Sequence, residues 1–427
     1  MAIFSRKNPE VLVTGAGPVG LVTALALARH GIDVQILDEQ WRTAGRSYAL
    51  ALHPGSLRLL AELGVGTALA RRGQHIKRLS LRNVEARQAE IDVDALGGDF
   101  PFVLVVPQRV LESLLEEELR KTGVRVQWSR RVAGIELGGE RPLVEVERLA
   151  KESTGYAFAE TAWVVERVRQ VRPRFLVGAD GHRSTVRRLL GVPFAPVGEP
   201  LLCGVFELLA DAPDEGEVVV VLDTTTNVLW PMGQGRFRWS FELFEWEAFA
   251  EARVKDRLQV QVGSETLPYV SQQMLSELIA ERAPWFTARI QEVVWSAAVR
   301  FERRLAESFA SGPAFLLGDA AHLAAPAGVH SMNVGLREGV ELANRIAAVL
   351  RQDAAPETLA DWADQRQAEW RTLLGLDGPP RATPEATPWV RSQAERVLPC
   401  IPAGGEELDQ LLAQIGLAMP RLAAVAS

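Results

Sequence analysis

The stretch that most restricts this chain is Gly15-Ala-Gly17-Pro18-Val19-Gly20, set between an apolar run and an Ala/Leu-rich segment. Val11-Leu-Val-Thr14 has the continuous apolar character of a buried parallel strand. Leu21 to His30 reads as a helix that Gly31 stops, and Val34-Gln-Ile-Leu37 as a second strand. Each part has a physical task. Gly15 permits a tight turn, Gly17 lets the backbone approach a pyrophosphate, and Gly20 lets the helix pack close to the strand. Unpaired N–H groups at the helix start present partial positive charge to the phosphates. Asp38, 18 residues beyond Gly20 and followed by Glu39, stands where a ribose-binding acid belongs. A G-x-G-x-x-G alone is a weak signal; strand, turn, helix, strand and acid in this order make a strong one. The unit specifies a dinucleotide. Asp38 argues against a 2′-phosphate, but nothing here separates FAD from NAD.

Composition narrows the setting. The net charge of −7 gives no general field favouring nucleic acid. No apolar run approaches the ~18 residues of a membrane span, and the first residues lack a secretory apolar segment. Cys203 and Cys400 are the only cysteines. Their separation suits a reduced, cytoplasmic protein and excludes a cysteine-built zinc site; no metal is implied. Eleven tryptophans fit core packing or an aromatic pocket. A chain of 427 residues exceeds one simple core.

Along the chain, a helical stretch is expected from about Ser56 to Arg72, and mainly strands and loops from Gln74 to Pro107. Gln108 opens a helix with Leu111, Leu114, Leu115 and Leu119 at helical spacing, ended by Gly123. Val124–Trp128 reads as a strand, residues 133–178 as an antiparallel excursion, and 200–300 as strand-rich with a helical section near Thr266–Ile279. Residues 314–351 return to strand, turn and helix. The expected fold is α/β: a Rossmann-like domain (1–75, 103–190 and 300–350) interleaved with a β-sheet substrate domain (76–102 and 191–299), then a helical C-terminal segment (351–427).

Two further motifs end strands. One is Gly178-Ala-Asp180-Gly181-His182-Arg183-Ser184-Thr185-Val186-Arg187, with Ser184 as a plausible helix cap. The other is Phe315-Leu-Leu-Gly318-Asp319-Ala-Ala-His322, followed by Pro326 and Asn333-Val-Gly335. With these in place, roughly residues 10–350 resemble the single-component flavoprotein aromatic hydroxylases of the p-hydroxybenzoate hydroxylase type. Arg46-Ser-Tyr-Ala-Leu-Ala-Leu-His53 and Gln108-Arg-Val-Leu111-Glu112 resemble other flavin-contacting stretches of that family.

The resemblance implies FAD as the cofactor, held by Gly15, Gly17, Pro18, Val19, Gly20, Asp38, Glu39, Arg46, Gln108, Asp180, Gly181, Gly318 and Asp319. It gives Asp319 the ribityl chain. It runs Pro326, Gly328, Val329, Ser331, Met332 and Asn333 past the flavin ring, where backbone N–H groups would stabilise the reduced, anionic flavin. It makes the chain a monooxygenase: NADH or NADPH reduces FAD, reduced flavin and dioxygen give a C4a-hydroperoxide, and its distal oxygen attacks an aromatic or polyketide-like small molecule. The chain would act as a monomer or homodimer. Trp230, Met232, Phe237 and Trp239 are candidate substrate-lining residues; Phe237, Trp239 and Phe241 share one sheet face, which is pocket or core.

The sequence departs from the family pattern after Pro326. Ala327-Gly328-Val329-His330-Ser331-Met332-Asn333 stands where a Gly-Gln-Gly-type turn is usual. The bulkier Val329 and His330 would narrow the flavin's channel or place an imidazole at the ring, making His330 a candidate catalytic residue. The thioredoxin-like C-terminal domain of larger members is not seen. Two other chemistries share this fold. A flavin-dependent halogenase would need its own lysine and a Trp-x-Trp-x-x-Pro segment, and neither is found. An FAD-dependent reductase of an isoprenoid or polyene remains open.

Overall fold

The computed structural model describes residues 8–41, 49–138, 141–154, 160–212, 216–243, 259–262 and 265–420. Its central sheet has five strands. Val34–Leu37, Val11–Thr14, Phe175–Gly178 and Ala314–Leu316 lie side by side and parallel, and Ala310–Ser311 closes the edge antiparallel. The order requires crossovers, because the chain leaves this sheet twice and returns. Val11, Leu12, Leu176 and Val177 are fully buried, as a sheet covered on both faces demands. Burying each such side chain contributes roughly 1.5–3 kcal/mol.

Three helices pack together beside this sheet. Pro18–Arg29 starts at the glycine turn, with proline in its first turn where no N–H is missed. His330–Leu350 crosses it closely: a Cβ on Gly339 would stand 2.4 Å from the Thr23 hydroxyl oxygen. The helix Gln108–Lys121 buries Leu111, Leu115 and Leu119.

The second sheet has seven strands in the order Arg289–Phe301, Leu201–Asp211, Arg236–Leu243, Thr226–Gly233, Glu217–Leu222, Arg78–Arg82 and Arg87–Asp92. Only Glu217–Leu222 with Arg78–Arg82 is parallel. One face carries a separate core of Phe206, Leu208, Phe237, Trp239 and Phe241 with the helix Gln272–Arg282. The other face turns toward the nucleotide-type sheet. A three-stranded sheet of Arg130–Glu136, Leu143–Thr154 and Glu160–Val171 forms the antiparallel excursion. The tail is helical at Glu357–Leu373, Pro388–Val397 and Glu406–Ala413.

Three local expectations need correction. Val124–Trp128 is not a strand: it meets the sheet edge at one bridge, Leu37 to Gln127, and Ser129 at φ 53° then turns the chain away. The stretch from Ser56 to Arg72 is two helices, Pro54–Glu62 and Gly66–Ala70, broken at Gly64 with φ 75°. Near 266 the chain is a strand, Glu265–Pro268, and the helix begins only after Ser271, whose hydroxyl accepts from the Met274 N–H.

Candidate active site

One elongated cavity of about 900 Å³ runs between the two sheets. At its nucleotide end are Gly15, Gly17, Pro18, Val19, Asp38 and Glu39. Gly15 has φ +93°, and a Cβ there would lie 2.1 Å from the Ala179 carbonyl oxygen. Gly20 is off the cavity: its Cβ would lie 1.9 Å from the Gly15 carbonyl oxygen, so its role is the close approach of helix to turn. A Cβ on Gly17 would meet no protein atom within 4 Å. The helix start here has no side-chain cap. Its orphan N–H groups therefore need an outside acceptor. The Asp38 carboxylate accepts from the Ala16 N–H at 2.6 Å and the Gln40 N–H at 2.7 Å, and lone pairs remain for a ribose hydroxyl. Burial raises its pKa above the ordinary value against those two bonds, and nearby Asp180 adds to the rise.

Gln108 also lines the cavity and donates to the Glu112 carboxylate at 2.6 Å. Glu112 is a buried acid that the sequence reading did not single out. Burial pushes it up to about 7, against the Gln108 bond, and its second oxygen has no hydrogen-bond partner. Arg46 lies outside the described residues.

The two Asp motifs play different parts. Asp180 accepts from the Ser184 hydroxyl and from the Thr185 and Val186 N–H groups at 2.8 and 3.1 Å, so its carboxylate builds the turn. Ser184 caps the helix by accepting from the Arg187 N–H. Arg187 then donates to the carbonyls of Ala320 and His182, both at 2.8 Å, tying the two motifs together. Gly181 and Asp319 border the cavity, while Gly318 sits just behind with φ +55°. Burial raises the Asp319 carboxyl above its ordinary value, with His322 and His182 opposing.

Beneath Gly318 lies a buried network also missed from sequence. The Glu338 carboxylate accepts from Trp370 Nε1 at 2.7 Å and the Gly318 N–H at 3.2 Å, and pairs with His322 Nε2 at 2.9 Å. Burial raises the Glu338 pKa, but His322 and these donors outweigh it and hold the acid below its ordinary value. His322 stacks on Trp370 at 3.7 Å, so it supports the turn from behind. The overlooked signal was a charge at position 338 within an otherwise apolar helical stripe.

At the ring end, Pro326, Val329, His330, Ser331 and Met332 line the cavity. Val329 precedes the helix with φ 52° and ψ 39°, a left-handed conformation rare for a β-branched residue. His330 is buried, its Nε2 has no hydrogen-bond partner, and its ring meets His53 edge-on at 5.7 Å. Burial pushes the His330 pKa down to about 4, against the carbonyls of Ile401 and Ala403. Two expected contacts are corrected here. Gly328 is off the cavity because it packs on Pro399, whose carbonyl accepts its N–H at 2.8 Å. Asn333 is turned away: it accepts from the His53 N–H and donates to the Ala51 and Val329 carbonyls, each at 2.8 Å.

The seven-stranded sheet forms the floor. Trp230 and Met232 line it, together with Val205, Arg238 and Ser240. Phe237 and Trp239 do not: they point to the opposite face, where Trp239 stacks on Phe241 at 4.7 Å in the separate core. Strand alternation is the reason, and it also puts Arg238 and Ser240 on the cavity side.

These features fit a bound FAD: an uncapped helix start beside the open space at Gly17, acids at Asp38 and Asp319, and a second helix start at Val329. Comparison with known proteins agrees. A family model described as an FAD binding domain matches residues 8–374, and the chain belongs to that family. It is 29% identical over 369 residues to a 6-methylpretetramide 4-monooxygenase of Streptomyces rimosus, covering 84% of this chain and 59% of that protein. It is 29% identical over 358 residues to a rifampicin monooxygenase of Streptomyces venezuelae, covering 82% of this chain and 66% of that one. This chain thus spans less than two-thirds of those relatives. The crystal structure of p-nitrophenol 4-monooxygenase from Pseudomonas putida shares the fold with a TM-score of 0.67 at 20% identity, covering 97% of this chain and 99% of that one. Among the described residues no helix is long and apolar enough to cross a membrane, and no cluster of side chains could hold a metal ion.

Proposed function

We propose that this chain is an FAD-dependent monooxygenase that uses NADH or NADPH and dioxygen to hydroxylate an aromatic or polyketide-like small molecule. The observation that carries this reading is the continuity of one cavity, whose glycine-turn end runs into a compartment floored by Val205, Trp230 and Met232. Bound FAD supplies hydride acceptance and dioxygen activation. The chain's own residues bind and shield it. Gly17 and the helix start behind it hold the pyrophosphate, Asp38 the ribose and Asp319 the ribityl chain. The first turn at His330–Met332 directs N–H groups at the pyrimidine end, and the apolar floor excludes water from the reacting face. His330, kept neutral by burial, adjusts the polarity at that end. The strands of 76–102 and 191–299 serve as the substrate domain, set into an FAD domain of 1–75, 103–190 and 300–350. Matched relatives are named as monooxygenases, which favours this reading over a polyene reductase or a halogenase.

The test is oxygen uptake by FAD-loaded protein. A panel of phenols and polycyclic aromatics is offered with NADH or NADPH. A substrate should accelerate consumption of both nucleotide and oxygen and yield a product heavier by one oxygen atom. No nucleotide oxidation across the panel would remove the basis of the proposal.

A further inference from the structure

The helix Gln108–Lys121 carries a buried acid that the proposed chemistry does not use. Its inner face is otherwise apolar, with Leu111, Leu115 and Leu119 fully buried. Glu112 lies beside them at 2% exposure. Its Oε1 accepts from Gln108 Nε2 at 2.6 Å, and its Oε2 has no hydrogen-bond partner among the described residues. The charges that act on it are Asp38, just past the second strand of the central sheet, and Glu116, one turn further along the same helix. Both push its pKa up, in the same direction as burial.

A carboxyl in such a place does not serve stability. Burying it without a cation costs free energy that an apolar side chain of similar size would not. Its geometry has another use. Gln108, one turn back, lines the cavity, as do Asp38 and Gln40. A carboxamide has two ends of nearly equal shape, one a donor and the other an acceptor, and only a neighbour selects between them. Glu112 selects the nitrogen end. Its Oε1 takes the amide hydrogen whether or not Oε2 carries a proton, so the selection holds in both states of the acid. The carbonyl end of Gln108 is thereby turned away from Glu112, as an acceptor. A pyrophosphate needs donors and gains nothing from that oxygen; a hydroxyl does.

We infer that Glu112 is a positioning residue for the cofactor: it holds the Gln108 carboxamide by its nitrogen, so that the carbonyl oxygen accepts from a hydroxyl of bound FAD. The inference rests on the FAD-binding part of the reading above and deepens it. Gln108 touches the cofactor, and Glu112 acts through Gln108. The unfavourable burial of the acid is the cost of fixing one amide in one orientation.

The test is a double-mutant cycle on FAD affinity, read by flavin fluorescence quenching at pH 8, with thermal unfolding of each cofactor-free protein alongside. Gln108→Leu should weaken binding about tenfold, the scale of a lost hydrogen bond. Glu112→Met should cost most of that factor, because the cofactor itself must then order the freed carboxamide. Added to Gln108→Leu, it should cost nothing further. Glu112→Gln keeps an acceptor for the amide and should stay within about twofold of wild type. Cofactor-free Glu112→Met should unfold at a higher temperature than wild type, since a buried carboxyl has been removed. Affinity and stability moving in opposite directions is a result that a merely structural acid does not give. ADP, which has the ribose but no ribityl chain, serves as a second probe. A matching loss with ADP places the hydroxyl on the ribose, and a loss with FAD alone places it on the ribityl chain; either supports the proposal. An equal loss from Glu112→Met in both backgrounds, no loss in either, or a lower unfolding temperature overturns it. If the wild type binds FAD in that event, only Glu112 falls. A wild type that takes up no FAD breaks the hydroxylase reading itself.

Discussion

Two of the helix starts that line the cavity are built in opposite ways. The first, at Gly17–Pro18, works by leaving side chains out: the backbone is extended at φ −71° and ψ 179°, and the Cβ position is open. The second, at Val329–His330, holds side chains in. A valine sits in the left-handed region, and a buried imidazole follows it. The first arrangement suits any dinucleotide. The second is over-determined by its surroundings, with Asn333 bonded to the Val329 carbonyl and Gly328 bonded to Pro399. Unusual backbone held this firmly is a mark of a site adjusted for one task.

The largest expected effect separates ligand space from architecture at the first start. Gly17→Val adds a side chain where no protein atom stands and where the backbone is ordinary, so the chain should fold normally yet retain no FAD. Gly20→Ala drives a Cβ into the Gly15 carbonyl and should destabilise the fold itself. Flavin content and thermal unfolding of both purified variants check this. Yellow, flavin-loaded Gly17→Val protein would break the assignment.

Next in size is the acid between the two starts. Asp319→Ala removes an ionised acceptor from the cavity and should weaken FAD binding by up to about 100-fold, the scale of charge-assisted hydrogen bonds. The apo protein should lose no stability, because burial already raises the Asp319 carboxyl's pKa. Flavin titration by fluorescence quenching measures the first, and apo thermal unfolding the second. Unchanged affinity would count against the ribityl role.

The contrast between the two starts also explains what the sequence could reveal. The Gly15–Gly20 unit is local and made of backbone, so residue order alone exposes it. Asp180 and Asp319 are legible for the same reason, each closing a strand. The ring end is different. Whether Asn333 faces a ligand or the chain depends on Ala51 and His53, some 280 residues away. The floor was half legible: alternation grouped Phe237, Trp239 and Phe241 correctly, but which face met the cavity depended on packing by the Gln272–Arg282 helix. Glu338 is not legible, because a charge inside an apolar stripe reads as an exposed edge until its partners are seen; Glu112 lies in a stretch marked by resemblance, but its burial shows only in the packing.

At the second start, His330 should leave a pH signature. Its folded pKa of about 4 lies below the unfolded value of 6.5. Between those values the unfolded chain binds more protons, so stability is full above pH 6.5 and falls as pH drops toward 4. His330→Gln should remove part of that fall, about 2 kcal/mol at pH 5 relative to wild type, with little change at pH 8. Denaturant unfolding at the two pH values decides it. His53, pushed down to about 3 chiefly by burial, keeps the remainder. Parallel pH profiles for wild type and variant would show that the imidazole is not desolvated as the packing implies.

The smallest effect tests whether Val329 is strained. In the left-handed region an L-residue is disfavoured by about 1–2 kcal/mol, and glycine is not. Val329→Gly therefore gains that relief while losing a partly buried side chain and adding freedom to the unfolded chain. These contributions nearly cancel, and stability should stay within about 1 kcal/mol of wild type. Val334, one turn further along the same helix, is 2% exposed and has no such strain to relieve. Val334→Gly should cost roughly 3 kcal/mol, from lost burial and a glycine in the helix interior. Comparing the two by thermal unfolding isolates the backbone contribution at the ring end. Equal losses at 329 and 334 would mean that Val329 rests without strain, and that the second helix start differs from the first only in its side chains.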